Sequence, residues 1–239
     1  TIPVRVSAST PDLQKLAQQA FSSHGRYRVV PSGHAFDIKF TGAGNQVRVD
    51  VTRGSAATVV VSQVVSGNSP RHALLKAADV AVEKTNGLGL RGFFTGRLAF
   101  VVQPRSTGPG EIYVSDLFWG EAKQVTRDNA LVMTPRWSPD GSRVLYTSFF
   151  KTGAPDIYMH DPASGRRDIV ANFRGMNMGA SFSGNGQRIA MVLSGSGASE
   201  IFVRPTQGGS PTRLTRMDSA KSSPSWSPGS DASSTNKTS

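Results

Sequence analysis

Cysteine is absent from the 239 residues, which excludes disulfides and any thiolate-held metal. Long apolar runs are absent as well. No stretch approaches the roughly 18 uninterrupted apolar residues of a membrane helix, so no membrane span is expected. An initiating methionine is missing, and Thr1-Ile2-Pro3 reads as the start of a processed or trimmed chain, for instance after signal-peptide removal. Acidic residues are scarce: 16 Asp and Glu face 27 Lys and Arg, giving a formal net charge of +11. The excess is spread out, with eleven basic against five acidic residues in 1–95 and sixteen against eleven in 96–239. Its densest spot, Arg166-Arg167, sits beside Asp161 and Asp168. A nucleic-acid binder concentrates such charge in a stripe with aromatics, so no nucleic-acid partner is expected. The 25 glycines and 14 prolines suit a chain of many turns.

The first 86 residues read as α/β. Thr10-Pro11-Asp12 is a helix start: a hydroxyl cap, a proline in the first turn, then an acid near the positive helix end. Leu13, Leu16, Ala17, Ala20 and Phe21 follow at helical spacing. Residues 26–30 form a short strand candidate. Phe36, Ile38 and Phe40, then Val47, Val49 and Val51, alternate with polar residues as half-buried strands. Residues 58–65 predict a more buried strand. Ser69-Pro70 opens a second helix to about Thr85, with Leu74, Leu75, Ala78 and Val82 inward. Two helices on one antiparallel sheet are expected.

After Gly96 a repeat takes over. Trp137-Ser138-Pro139-Asp140-Gly141 returns as Phe182-Ser183-Gly184-Asn185-Gly186 and as Trp226-Ser227-Pro228-Gly229, at steps of 45 and 44 residues. Glu111-Ile112-Tyr113, Asp156-Ile157-Tyr158 and Glu200-Ile201-Phe202 keep the same steps. Strands beginning at Arg97, Arg143 and Arg188 form a third marker. Short alternating strands at a period in the forties indicate four-stranded propeller blades. The fold class expected is thus an α+β N-terminal domain over 1–92, then an incomplete β-propeller over 93–229. About three four-stranded blades are counted, with a disordered tail over 230–239.

Few motifs promise catalysis. The run from Gly87 to Gly92 matches a dinucleotide-binding glycine fingerprint, but follows a helix and enters strands, the reverse of what that loop needs. Ser148 and Lys151 have acyl-serine spacing but lie at a strand end, where no helix can bring them together. His24, His34, His72 and His160 form no metal-spaced pair. Asp140 and Asp156 recur with the repeat and so read as geometry. No enzyme activity, metal or cofactor is expected. The usable surface is the propeller mouth, approached by Met133-Thr134-Pro135-Arg136, by residues 174–180 and by residues 218–225. Their Met, Asn, Ser and Gly content suits either an adaptable protein site or ordinary variable loops.

The aromatic-Ser-Pro-Asp-Gly repeat behind a small α/β domain resembles the TolB family. So do the junction Ala81-Val82-Glu83-Lys84-Thr85-Asn86-Gly87, the segment Gly92-Phe93-Phe94-Thr95-Gly96-Arg97, and Arg136-Trp137-Ser138-Pro139-Asp140-Gly141-Ser142. The resemblance implies a non-catalytic periplasmic protein of the Tol-Pal envelope system. It implies a six-bladed propeller whose mouth binds the peptidoglycan-associated lipoprotein Pal, and an N-terminal segment recruited by TolA. Carried over by position, the partner-binding residues are Thr134, Arg136, Met176, Asn177, Gly179, Ser222 and Ser223. The family often has His where Met176 stands and Glu where Ser223 stands. The repeat itself predicts an Asp before Gly229 and an apolar strand soon after; neither is present, so a C-terminal truncation, such as a frame slip near Pro228, is expected. Two other readings stay open: a propeller-bearing serine peptidase without its hydrolase domain, and a sugar-binding propeller.

Overall fold

A computed structural model describes residues 1–86, 92–104, 108–195, 197–216 and 219–227. The glycine run at 87–91, Asp218, Pro228-Gly229 and the tail 230–239 lie outside the described residues. The chain divides into two compact units: Thr1–Arg97 with Asp116–Gly120, and Leu98–Ser115 with Glu121–Ser239.

The first unit runs β1 (Ile2–Ala8), α1 (Pro11–Ser23), β2 (Tyr27–Val29), β3 (Phe36–Ala43), β4 (Gln46–Arg53), β5 (Thr58–Ser66) and α2 (Pro70–Asn86). Thr10 caps α1 as its sequence suggests: its backbone is extended, and its Oγ1 accepts from the Leu13 N–H at 3.4 Å. The predicted apolar faces of both helices are buried. They close on Ile38, Phe40, Val47, Val49 and Val51, all fully enclosed.

Two expectations for this unit are corrected. The sheet is mixed, in the order β2-β1-β3-β4-β5, with β1 parallel to both its neighbours. Strand β1 was not anticipated, although Ile2, Val4, Val6 and Ala8 alternate with Pro3, Arg5 and Ser7. A helical crossover, here α1, returns the chain in the same direction and permits parallel pairing. Strand β5 is the sheet edge, not a buried strand: Val59 is 68% exposed and Val64 55%. A run of valines marks high strand propensity, and propensity alone does not locate a strand within its sheet.

Beside α1, His24 is buried against Tyr27, Phe93 and Phe94. Burial pushes its imidazole below the ordinary histidine value.

The second unit holds three antiparallel sheets. The first is β6 (Arg97–Val102), β7 (Glu111–Asp116) and β8 (Lys123–Gln124). The second is β9 (Val132–Trp137), β10 (Val144–Ser148), β11 (Asp156–His160) and β12 (Arg167–Ala171). The third is β13 (Asn177–Phe182), β14 (Arg188–Leu193), β15 (Glu200–Pro205) and β16 (Thr212–Arg213). Among the described residues the first sheet has three strands rather than the expected four. By the repeat, β6 corresponds to β10, so the missing member is the counterpart of β9, and residues 92–96 ahead of β6 form turns.

The cores of this unit lie between sheets. One cluster joins Ile112 and Val114 of the first sheet to Val132, Val144, Tyr146 and Tyr158 of the second, with Trp137 packed on it. Another joins Leu145, Ile157, Met159 and Val170 of the second to Phe182, Ile189, Met191 and Leu193 of the third. The repeated aromatic therefore plugs the seam between neighbouring blades, as its period implies.

The repeated turn is closed from within. Ser138 Oγ accepts the Arg143 N–H at 2.9 Å and donates to Asp140. Ser183 Oγ accepts the Arg188 N–H at 3.0 Å and donates to Asn185 at 3.0 Å. Gly141 and Gly186 follow at φ +68° and +73°, a backbone that costs glycine little. Hydrogen bonds from Ser138 and Ser142 hold the Asp140 carboxyl below its usual range. Serine two residues before Asp or Asn thus explains why the motif recurs.

Candidate functional site at the blade mouths

Antiparallel blades have two ends. The aromatic-Ser-Pro-Asp-Gly turns and the 161–166 turn share one of them, and the opposite end carries the 149–155 turn and the 172–176 loop. That opposite end is also where β9 and β13 begin, and where residues 219–223 lead into the Trp226 motif. It is the mouth end read from the sequence.

Each inner strand is interrupted in the same place. Between Met133 and Arg136 the chain takes three steps where facing β10 takes two, from Leu145 to Thr147. Between Met178 and Ser181 it again takes three against two, from Ala190 to Val192. These are β-bulges, each with one extra residue. The extra residue is left-handed: Thr134 has φ +53° and Gly179 +64°. Ser223, 44 residues on, has φ +51°. Pro135 and Pro224 follow two of the three, and proline is tolerated inside a strand at such a bulge. The Ser223 segment runs beside the Gly179 bulge: a Cβ on Gly179 would lie 3.9 Å from the Ser223 N atom. Ser181 Oγ donates to the Pro224 carbonyl at 3.1 Å, and Trp226 Nε1 returns a bond to the Ser181 carbonyl at 3.1 Å.

Three of the seven predicted site residues, Thr134, Gly179 and Ser223, are thus one structural position repeated. Left-handed backbone costs a non-glycine residue about 1–2 kcal/mol. Strain of this kind, held in place by its surroundings, clusters at functional sites. Thr134, Ser222 and Ser223 are exposed. Arg136 is exposed too, and its Nη1 donates to the Pro135 carbonyl at 3.1 Å. Met176 is 42% exposed, with its N–H held by Ser194 Oγ at 2.8 Å.

Asn177 is corrected. It is fully buried, so it offers no surface to a partner. Its Nδ2 donates to the carbonyls of Phe173 at 2.8 Å, Gly175 at 3.3 Å and Pro155 at 3.3 Å, and its Oδ1 accepts the Phe173 N–H at 2.9 Å. It is the post on which the 172–176 loop is built.

Its role follows from the neighbouring blades. Glu111 accepts from Thr126 Oγ1 at 2.5 Å and the Asn129 N–H at 2.7 Å, while Thr126 Oγ1 accepts the Ile112 N–H at 2.9 Å. Glu200 repeats the latch with Thr215, which accepts the Ile201 N–H at 3.0 Å. Arg213 adds a bond to Glu200 at 2.9 Å. The middle blade has Asp156 in place of Glu and Ala171 in place of Thr. Asn177 Nδ2, at 3.4 Å from Asp156, takes over the connection. Burial without the usual partner pushes the Asp156 carboxyl up.

The sequence reading missed Leu131 and Phe173, which lie in mouth-end segments and stay 38% and 47% exposed. The available signal was a large apolar residue in a segment between strands, where no core face requires one. Ser148 and Lys151 do not meet as a catalytic pair: Ser148 is fully buried at the end of β10, and its Oγ accepts the Phe150 N–H at 3.2 Å. Among the described residues no three His, Asp or Glu side chains converge as a metal site.

Residues 85–236 match the TolB beta propeller domain. The chain belongs to the TolB propeller family. Curated relatives named Tol-Pal system protein TolB agree. That of Bordetella pertussis is 34% identical over 192 residues, covering 77% of this chain and 43% of the relative. That of Azoarcus sp. is 31% identical over 169 residues, covering 70% and 36%. That of Alcanivorax borkumensis is 34% identical over 110 residues, covering 46% and 25%. The chain thus spans between a quarter and somewhat under half of these relatives' length. The crystal structure of TolB from Acinetobacter baumannii superposes with a TM-score of 0.76 at 20% identity, covering 90% of this chain and 61% of that one. That likeness concerns the fold. No helix among the described residues is long and apolar enough to cross a membrane.

Proposed function

We propose that this chain is a non-catalytic, periplasmic protein-binding scaffold of the Tol-Pal envelope system, contributing to outer-membrane integrity and cell division. Its α+β domain spans 1–92 and its blades 93–229. The observation that carries the reading is the contrast at the mouth end. Left-handed residues recur at Thr134 and Gly179, each in a bulge of an inner strand, and at Ser223, and the segments that approach those two strands expose Leu131, Phe173 and Met176. Exposed apolar side chains among small polar ones are the composition of a protein interface. The Tol-Pal name of the relatives supports a Pal-type peptidoglycan-associated lipoprotein as the partner. The contact residues are Thr134, Arg136, Met176, Gly179, Ser222 and Ser223, with Asn177 acting through the loop it supports. TolA, meeting the N-terminal segment, is the second partner in this reading.

The test is a titration of the full chain with a soluble Pal-type domain. Met176→Asp combined with Ser223→Asp is expected to weaken binding about tenfold or more, because an interface core rejects unpaired charge. Equal binding by wild type and double variant overturns the site.

A further inference from the structure

The end of the blades opposite the mouth holds a cleft of ≈ 370 Å³ between the β9–β12 and β13–β16 sheets. Arg143, Arg166 and Arg204 line it together with Asp161 and Asp168. Both acids are already engaged. Asp161 accepts from the Ala163 N–H at 2.8 Å and from Ser164 Oγ at 2.6 Å. Asp168 is paired with Arg166 at 3.1 Å.

The other two arginines are not so matched. Arg143 donates to the thioether of Met159 at 3.7 Å, a weak acceptor. Its charge reaches Asp140 and Asp161, yet among the described residues it makes an ion pair with neither. Arg204 gives Nη1 to the Val170 carbonyl, and its Nε is buried with no partner at all. A buried guanidinium N–H without an acceptor is costly.

The blade repeat accounts for only one of them. Arg143 recurs as Arg97 and Arg188. The period puts His160 and Ser115 where Arg204 stands, so the pairing with Arg204 is peculiar to this seam.

We propose that this cleft binds the carboxylate of an acidic peptide, held between Arg143 and Arg204. The lining carries three arginines against two aspartates, a single net positive charge, which suits a monoanion better than a phosphate dianion. The planar fork of arginine matches a carboxylate bidentately. Met159, Ile169 and Val170 supply an apolar floor for the stem or neighbour of the acid. A second depression, sharing Arg143, Thr206 and Gln207, continues past Ser138 and Asn185. It gives a peptide backbone room to run on. The site is separate from the mouth and stands without the Tol-Pal reading.

The test is fluorescence anisotropy on the full chain with a labelled, C-terminally amidated hexapeptide of alternating Leu and Glu. Its Gln counterpart and a free-acid Leu-Gln form separate side-chain from terminal carboxylates. One of the two acidic probes is expected to bind about tenfold or more tightly than the amidated Gln peptide. Arg143→Gln and Arg204→Gln should each remove that preference, while Arg188→Gln, outside the cleft, should keep it. Melting curves check that each variant folds, and Arg143→Gln, which breaks a thioether contact and no ion pair among the described residues, remains decisive if Arg204→Gln does not. The proposal is overturned if acidic and neutral peptides bind alike or if Arg143→Gln binds as wild type. It is equally overturned if Arg188→Gln loses as much, or if inorganic phosphate displaces the peptide as well as acetate does.

Discussion

The two ends of the blades are built on opposite terms. At the turn end, the serine, the acid or amide and the glycine satisfy one another in two blades, and from Ser138 to Ser183 the bond that serine accepts from the backbone repeats within 0.1 Å. At the mouth end, the same period repeats a strained bulge and surrounds it with loops that differ from blade to blade. Repetition thus fixes the scaffold at one end and only the backbone at the other, where side chains are free to vary. A binding surface is best sought where the backbone recurs and the side chains do not.

Six substitutions would break or sharpen that contrast. The largest effect is expected from Asn177→Ala, which strands the Phe173 N–H and several carbonyls of the 172–176 loop. Urea unfolding should show a loss of about 3 kcal/mol, the cost of unsatisfied buried polar groups. A loss under about 0.5 kcal/mol would mean the loop does not depend on that post. Next, Ser138→Ala and Ser183→Ala should each cost about 1–1.5 kcal/mol, with the loss at Ser138 the larger, since its hydroxyl donates to a carboxylate and that of Ser183 to an amide. A larger loss at Ser183 would contradict that ordering. Gly179→Ala forces a side chain into left-handed backbone and should cost about 1 kcal/mol, while Thr134→Gly should gain up to about 1 kcal/mol by releasing it. Thermal melts of the pair read opposite signs, and the same sign in both would contradict the shared bulge. The smallest change in stability is expected from Phe173→Asp, within about 0.5 kcal/mol as for other exposed positions. Its effect should appear instead in the titration with the Pal-type domain.

Acid adds a separate check on the first unit. The folded-state value of His24 is depressed, so the unfolded chain takes up its proton first as pH falls. Stability should therefore be full above about pH 6.5. It should decline below that value, until the folded-state histidine also protonates. His24→Phe should flatten that slope in pH-dependent unfolding. An unchanged slope would assign it to other groups.

Much of this was legible in the sequence, for reasons that differ by residue. The helix faces of α1 and α2 followed from spacing because burial there obeys a single period. The blades followed because three markers shared one register. Strand β1 was overlooked because Pro3 interrupts a short alternation, and β5 was misplaced because valine content cannot distinguish an edge from a centre. Thr134, Gly179 and Ser223 were selected as candidates, but their common conformation could not be read from three unlike side chains. Asn177 shows the limit most clearly. Only with Ala171 and Asp156 in view does it emerge as a replacement for a latch the other blades possess.

The seam clusters have one more consequence. Each sheet is continuous in sequence, yet each core is made of halves from two successive sheets. The unit that gene duplication copies and the unit that water exclusion stabilises are therefore out of step by half a blade. A copied or transplanted repeat arrives with one face of its old core and must find the other in whatever stands next to it. Compatibility in this architecture is a property of adjacent pairs, so substitutions at Trp137 or Phe182 should be tolerated or rejected according to the blade that precedes them.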